Sequence, residues 1–175
     1  MAIREIVTYP NEVLATPGAT VERIDDDVRE LVADLVETMY AAPGVGLAAH
    51  QVGVARRIAV VDVSGGEDPS QMLVLINPQL IAEEGVQLDE EGCLSFPGFT
   101  EMIERPRQVV LRAMDLEGAT YEVEAEGFLA RAFCHEIDHL NGVLFIERMS
   151  SLRRQLIRRK IKKAVNAGEW VEAYR

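Results

Sequence analysis

The stretch Cys134-His135-Glu136-Ile137-Asp138-His139 lies inside residues 127–140, whose pattern predicts a helix, and its reading decides the architecture of the chain. His135 and His139 stand at i and i+4, so both imidazoles face the same way and can share one divalent ion. Glu136 is turned about 100° around the axis, where its carboxylate can reach a water beside that ion and act as a general base. Two unrelated surface histidines would give the same letters. With only three histidines in the chain, chance accounts for that spacing poorly.

The rest of the chain frames this helix. Its 175 residues, 48% apolar and 27% charged, fit one domain over residues 1–175 with a single core. After Asp25, Asp26 and Asp27, the apolar residues Val28, Leu31, Val32, Leu35, Val36 and Met39 recur at helical spacing until Pro43 and Gly44 end the run. Residues 1–24 read as extended and irregular. Residues 57–63, 72–76, 79–88, 107–114 and 119–125 read as strands, with turns at Gly65-Gly66, Asn77-Pro78, Glu84-Gly85 and Glu117-Gly118. Connections this short favour hairpins over helical crossovers. The expected class is α+β, with antiparallel sheets around a central metal-binding helix and one further helix at each end.

Charge is unevenly placed. The net charge is -11, yet residues 148–163 hold eight of the 18 basic residues and no acid. Residues 148–168 predict a basic C-terminal helix, with Ser150 or Ser151 as N-cap and Gly168 as stop; Leu152, Leu156, Ile157, Ile161, Ala164 and Val165 follow helical spacing and are expected to pack on the body. Its cationic face suits either solvation beside an acidic body or docking on polyanionic RNA. No apolar run reaches the length of a membrane span, and Arg4 and Glu5 interrupt the start where a secretion signal would carry its apolar stretch. A cytoplasmic protein with no membrane or DNA partner is expected.

Two histidines need a third ligand. One metalloprotease class places a glycine seven and a histidine ten residues after the first histidine; Gly142 fits, but Phe145 occupies the second position and excludes that class. Glu147 and Glu169 are the available downstream glutamates, and neither spacing is persuasive. Cys93, within Glu91-Gly92-Cys93-Leu94-Ser95, is the remaining strong donor, because a thiolate binds borderline divalent ions tightly. Buried filler is the competing reading for a free cysteine, although Gly92 and Ser95 argue for a tight turn. One Cys and two His would leave a fourth tetrahedral position open, as a catalytic site requires. Gly44-Val45-Gly46-Leu47-Ala48-Ala49-His50-Gln51 adds small residues that let backbone approach a ligand, and a Gln51 amide able to donate to a developing oxyanion. His50 is an alternative ligand, but as neighbour of Gln51 in an extended segment it would point the other way.

In this order and spacing, the segments 44–51, 91–95 and His135-Glu136-Ile137-Asp138-His139-Leu140 resemble the three signature motifs of the peptide deformylases. Tyr9-Pro10 and Leu14 leading to Pro17 extend the likeness over nearly the whole chain. One departure is Cys134, where the family commonly carries Gln; it is expected to be buried packing. The resemblance implies a bacterial enzyme that removes the formyl group from the formyl-Met peptide of nascent chains. It implies Fe2+ as metal, with Zn2+, Ni2+ or Co2+ as replacements, held by Cys93, His135 and His139. Glu136 would serve as base and then acid, while Gln51 and the backbone N–H of Leu94 would hold the oxyanion. The peptide would pair with the backbone of Gly44, Val45 and Gly46. Its methionine would lie against Phe128 and Ala132, which share a helix face with His135 and could equally be ordinary core. Glu91 is expected to pair with Arg105 and fix the Cys93 turn, whereas Asp138 is expected to be solvated. Nascent chains as substrate make the ribosome an expected partner of the 148–163 helix. Two rivals share part of this pattern: a metallopeptidase, and a non-catalytic metal-containing ribosome-binding protein.

Overall fold

The computed structural model describes residues 1–170 and a short strand at Ala173–Tyr174. In chain order the elements are β1 (Ile6–Val7), α1 (Asp26–Ala41), β2 (Gly46–Ala48), β3 (Ile58–Val61), β4 (Leu73–Glu84), β5 (Gln87–Gly92), β6 (Thr100–Arg105), β7 (Gln108–Met114), β8 (Thr120–Glu126), α2 (Phe128–Leu140), α3 (Ser151–Asn166) and β9 (Ala173–Tyr174). The expected α+β class holds. Strands β2-β3-β4-β7-β8 form one sheet in that order, β5 pairs with β6, and β1 with β9; every one of these pairings is antiparallel.

α1 begins where the acidic triplet predicts. Asp25 is the N-cap and accepts from the Val28 N–H at 3.0 Å, with Asp26 and Asp27 in the positively polarised first turn. Its apolar stripe packs on one face of the sheet and α2 packs on the other. β3 is therefore buried on both sides: Ile58 and Val60 join the cluster of α1, Ala59 and Val61 that of α2. A third cluster joins Phe96 and Ile103 to Phe145, Ile146 and Met149 and to Ile157 and Ile161 of α3.

Three expectations change. The Asn77-Pro78 turn is a bulge inside a continuous β4, marked by a register shift between Ile76 and Gln79 and by φ +49° at Asn77. The Asn77 side chain accepts from the Val21 N–H at 2.9 Å and donates to the Val21 carbonyl at 2.8 Å, replacing a missing ladder partner, while Pro78 has no N–H to lose. Residues 87–92 and 100–105 form a hairpin that apolar alternation does not announce, because its inward positions include the charged Glu91 and Arg105 while Leu88 and Met102 face solvent. On α3 only Ile157 and Ile161 are buried; Leu152, at 69% exposed, Leu156 and Val165 face solvent instead of the body. The third cluster touches α3 along a narrow i, i+4 line, so the wider apolar stripe is left uncovered.

α2 ends just past its second histidine in a Schellman motif. Gly142, at φ +72°, donates to the His139 carbonyl at 3.0 Å and Val143 donates to the Asp138 carbonyl at 2.9 Å. A Cβ at Gly142 would also lie 2.9 Å from the Ala15 carbonyl oxygen and the Pro17 nitrogen, both backbone atoms. Gly142→Ala is therefore expected to destabilise the protein by roughly 2–5 kcal/mol, adding left-handed strain to overpacking. A lower urea midpoint with an unchanged m-value would show it, and a wild-type midpoint would refute it.

Candidate metal centre

The turn after β5 and the inner face of α2 bring Cys93, His135 and His139 together. Their ligand atoms all lie within 4.8 Å of one another, and Cys93 Sγ is 3.4 Å from His139 Nε2. The turn is anchored by the Phe96 N–H to the Cys93 carbonyl and by the Tyr9 N–H to the Ser95 carbonyl, both 2.9 Å. His135 Nδ1 meets Glu91 Oε2 at 2.8 Å, which leaves Nε2 as its ligand atom. A thiolate and two imidazoles at this separation fit a borderline divalent ion. His50 is turned away, with Nε2 at 2.8 Å from the Thr16 carbonyl oxygen. Glu147 caps the Leu144 N–H, and Glu169 is exposed.

Glu136 lies beside this cluster and is only 4% exposed. Burial pushes its pKa up to about 7. Its Oε2 has no hydrogen-bond partner among the described residues, and a Cβ on Gly46 would sit 2.4 Å from its Oε1. The carboxylate thus occupies space that only a glycine at position 46 leaves open. Gln51 is also buried. Its Oε1 accepts from the Ala48 N–H at 3.0 Å, which directs Nε2 toward Ser95 Oγ at 3.3 Å and Cys93 Sγ at 3.8 Å.

A cleft of about 520 Å³ opens onto the cluster. Gly44, Val45, Gly46 and Leu94 form one part of its wall, and Phe128, Ala132, His135 and Glu136 of α2 another. The residues singled out in the sequence thus share one site, with His139 behind it. Ala132 is buried, whereas Phe128 is 55% exposed at the rim. β2 borders the cleft as the end strand of its sheet and, among the described residues, has a partner on one side only.

Beneath the cluster is a buried charge network of which the sequence revealed one pair. Glu91 accepts from Arg105 Nε at 3.0 Å and Nη2 at 2.7 Å, as expected, but also from Arg131 Nη1 at 3.0 Å and from His135. Burial alone would raise its pKa; the hydrogen bonds from His135 and Arg105 outweigh it and hold the carboxyl well below the usual range. Asp138 is not solvated. It is 8% exposed and accepts from Arg105 Nη1 at 2.6 Å and from Arg148 Nε and Nη2 at 2.9 and 2.6 Å. Residues 105 and 148 close over a helix position that local periodicity would leave in water. Arg131 offered a weak signal, standing four residues before His135 on the same face. Cys134 packs in the sheet-facing core, where burial pushes its thiol pKa up to about 11.

The chain is similar to known proteins in sequence and fold. Residues 3–155 match the family model described as polypeptide deformylase. The peptide deformylase of Acidobacterium capsulatum is 49% identical over 170 residues, covering 97% of this chain and 100% of that protein; that of Thermodesulfovibrio yellowstonii is 49% identical over 162 residues, covering 93% and 98%. Among solved structures, a peptide deformylase from Legionella pneumophila superposes with a TM-score of 0.88 at 40% identity, covering 95% of this chain and 98% of that one. The Ehrlichia chaffeensis peptide deformylase in complex with actinonin gives 0.85 at 38% identity, covering 93% and 98%. Among the described residues, no helix is long and apolar enough to cross a membrane. With the motif order, the three-ligand cluster and this full-length likeness in hand, the chain belongs to the peptide deformylases, metal-dependent enzymes that hydrolyse the N-formyl amide of nascent peptides.

Proposed function

We propose that Cys93, His135 and His139 hold one ferrous ion per chain, and that Glu136 moves the proton as the formyl group is cleaved from formyl-methionyl peptides. The observation that carries this reading is a buried carboxylate with an unpartnered oxygen beside a three-donor cluster, in one cleft. When bound, the ion polarises the formyl oxygen and makes a neighbouring water more acidic. Zn2+, Ni2+ or Co2+ would suit the same donors. Glu136 takes the water's proton as the formyl carbon is attacked, then returns it to the departing amine nitrogen, so the products are formate and a free N-terminus. Gln51 Nε2 and the Leu94 backbone N–H donate to the oxyanion. The peptide pairs with the Gly44, Val45 and Gly46 backbone along the free edge of β2, and its methionine side chain rests against Phe128 and Ala132.

The same proposal treats residues 1–175 as one catalytic domain working in the cytoplasm, with its basic C-terminal helix, set at residues 148–168 from the sequence, docking on the ribosome. Support comes from how the charge is distributed. Arg148 and Arg153 are held by Asp138 and Glu101, whereas Arg158, Arg159, Lys160, Lys162 and Lys163 are exposed. Five exposed cations on one helix, with no ion pair among the described residues, suit a phosphate backbone.

The primary test is formate release from a formyl-Met tripeptide by anaerobically prepared, iron-loaded protein; no formate would overturn the assignment. Glu136→Gln should lower kcat/KM by about 10²-fold or more with metal content unchanged, the loss typical of a removed general base. Glu91→Gln should weaken metal binding roughly 10–100-fold in chelator competition, because His135 loses the acceptor that orients it. Co-sedimentation with purified ribosomes should fall steeply between about 50 and 200 mM salt and disappear in a variant with Arg158, Arg159 and Lys162 changed to Gln. Salt-insensitive binding would count against docking.

A further inference from the structure

The chain beyond α3 returns to the cleft wall. Gly168, at φ +68°, turns it after the helix, and the Glu169 and Trp170 N–H groups both donate to the Ala164 carbonyl, at 2.9 and 3.2 Å. This turn sets the Trp170 indole against the ring of Phe99, with centroids 6.0 Å apart and planes tilted by 45°, within the range in which aromatic pairs attract. The indole N–H donates to the Tyr9 carbonyl at 2.7 Å. Tyr9 in turn stacks on Phe96 at 5.1 Å, so the indole is tied to the loop that carries Phe99. Phe96 and Phe99 line the cleft, whereas Trp170 packs on Phe99 without lining the cleft itself. Phe99 follows Gly98, which is exposed at φ +82°, and its own N–H donates to the Phe96 carbonyl at a long 3.3 Å. Backbone at this end of the loop therefore restrains the ring weakly, and Trp170 is its one aromatic partner among the described residues.

We propose that Trp170 is a positioning residue: it holds the Phe99 ring in place as a wall of the cleft against which the formylated peptide packs, and so sets how tightly the peptide binds. This rests on the reading above that the peptide occupies this cleft. Phe99 carries no group that could move a proton or hold the oxyanion. An apolar wall of this kind contacts the substrate equally before and at the transition state, so its loss appears in KM and leaves kcat alone. A ring released into several rotamers must be ordered again each time a peptide binds, which costs affinity without touching the ligand cluster. Ordinary packing acts differently: its loss lowers the unfolding midpoint and leaves KM unchanged.

The test is KM and kcat for a formyl-Met tripeptide, read by formate release from metal-loaded, full-length enzyme. Trp170→Ala should raise KM about three- to tenfold, the size of one lost aromatic contact, with kcat within about twofold and metal content unchanged. An unchanged KM, or a fall in kcat without a rise in KM, would overturn the proposal. Trp170→Phe keeps a ring for Phe99 and gives up the indole N–H, so its KM should stay near wild type; a KM as high as that of Trp170→Ala would place the effect in the Tyr9 tether and reject the role of Phe99. Phe99→Ala should itself raise KM at least as much as Trp170→Ala. Adding Trp170→Ala to it should raise KM no further, since a residue that acts through another has nothing to act on once that other is gone. Additive effects would reject the route through Phe99. Should Trp170→Ala fail to fold, Trp170→Leu keeps an apolar body in the cluster and is judged by the same outcomes. Wild-type protein that releases no formate would reject the underlying assignment, whereas an active wild type whose KM is insensitive to these variants would reject only the role of Trp170.

Discussion

The Glu91 carboxylate accepts hydrogen bonds from His135, Arg105 and Arg131 at once, and the candidate metal centre depends on that convergence. Glu91 lies on β5, Arg105 on β6 and the other two on α2, so one side chain fixes the hairpin against the helix and sets the tautomer of a candidate metal ligand. Asp138 continues the chain from Arg105 to Arg148, which precedes α3. An isolated buried ion costs several kcal/mol, and the penalty is offset only when each lone pair and each N–H has a partner. The network is therefore strongly coupled, although Arg131 Nη2 has no partner among the described residues: loss of one member strands its neighbours. This is a reason for its position, since a ligand triad gathered from a loop and a helix requires elements that cannot drift independently.

Local pattern makes part of this arrangement legible in the sequence. The spacing of His135 and His139, the acidic triplet before α1 and the thiol in a glycine turn are signals carried by adjacent residues. The sequence could not show which distant groups meet. Asp138 reads as solvated because nothing near it reveals that Arg105 and Arg148 cover it. Asn77-Pro78 reads as a turn because a side chain substituting for a ladder partner at Val21 is a contact 56 residues away. The β5–β6 hairpin is hidden because its inward positions include the charged Glu91 and Arg105, and α3 shows how an apolar period overstates burial when the neighbouring surface is narrow.

α2 divides three tasks around one cylinder. Phe133, Ile137 and Leu140 pack on the sheet, His135 and His139 face the thiol, and Asp138 ties down the far side. Ten of its 13 residues are buried, so it has almost no solvent face to rotate toward. Its axial position is equally constrained, because the turn at Gly142 presses on the backbone of residues 15–17. Rotation and translation are both blocked by packing, and the histidine geometry follows from that rather than from the flexible side chains alone.

In the proposed mechanism, the same backbone that aligns the peptide also locates the base. Gly46 lies on the free edge of β2, and the space where its Cβ would stand is filled by the Glu136 carboxylate. A substrate that pairs with this edge is therefore positioned relative to the atoms that confine its proton acceptor, not merely relative to the protein at large. Since a displacement of about 1 Å can cost on the order of a hundredfold in rate, sharing one short strand between alignment and confinement removes an independent source of misplacement. The glycine at position 46 has a steric origin in this view: a side chain there would push the base away from the strand edge along which the formyl group is delivered.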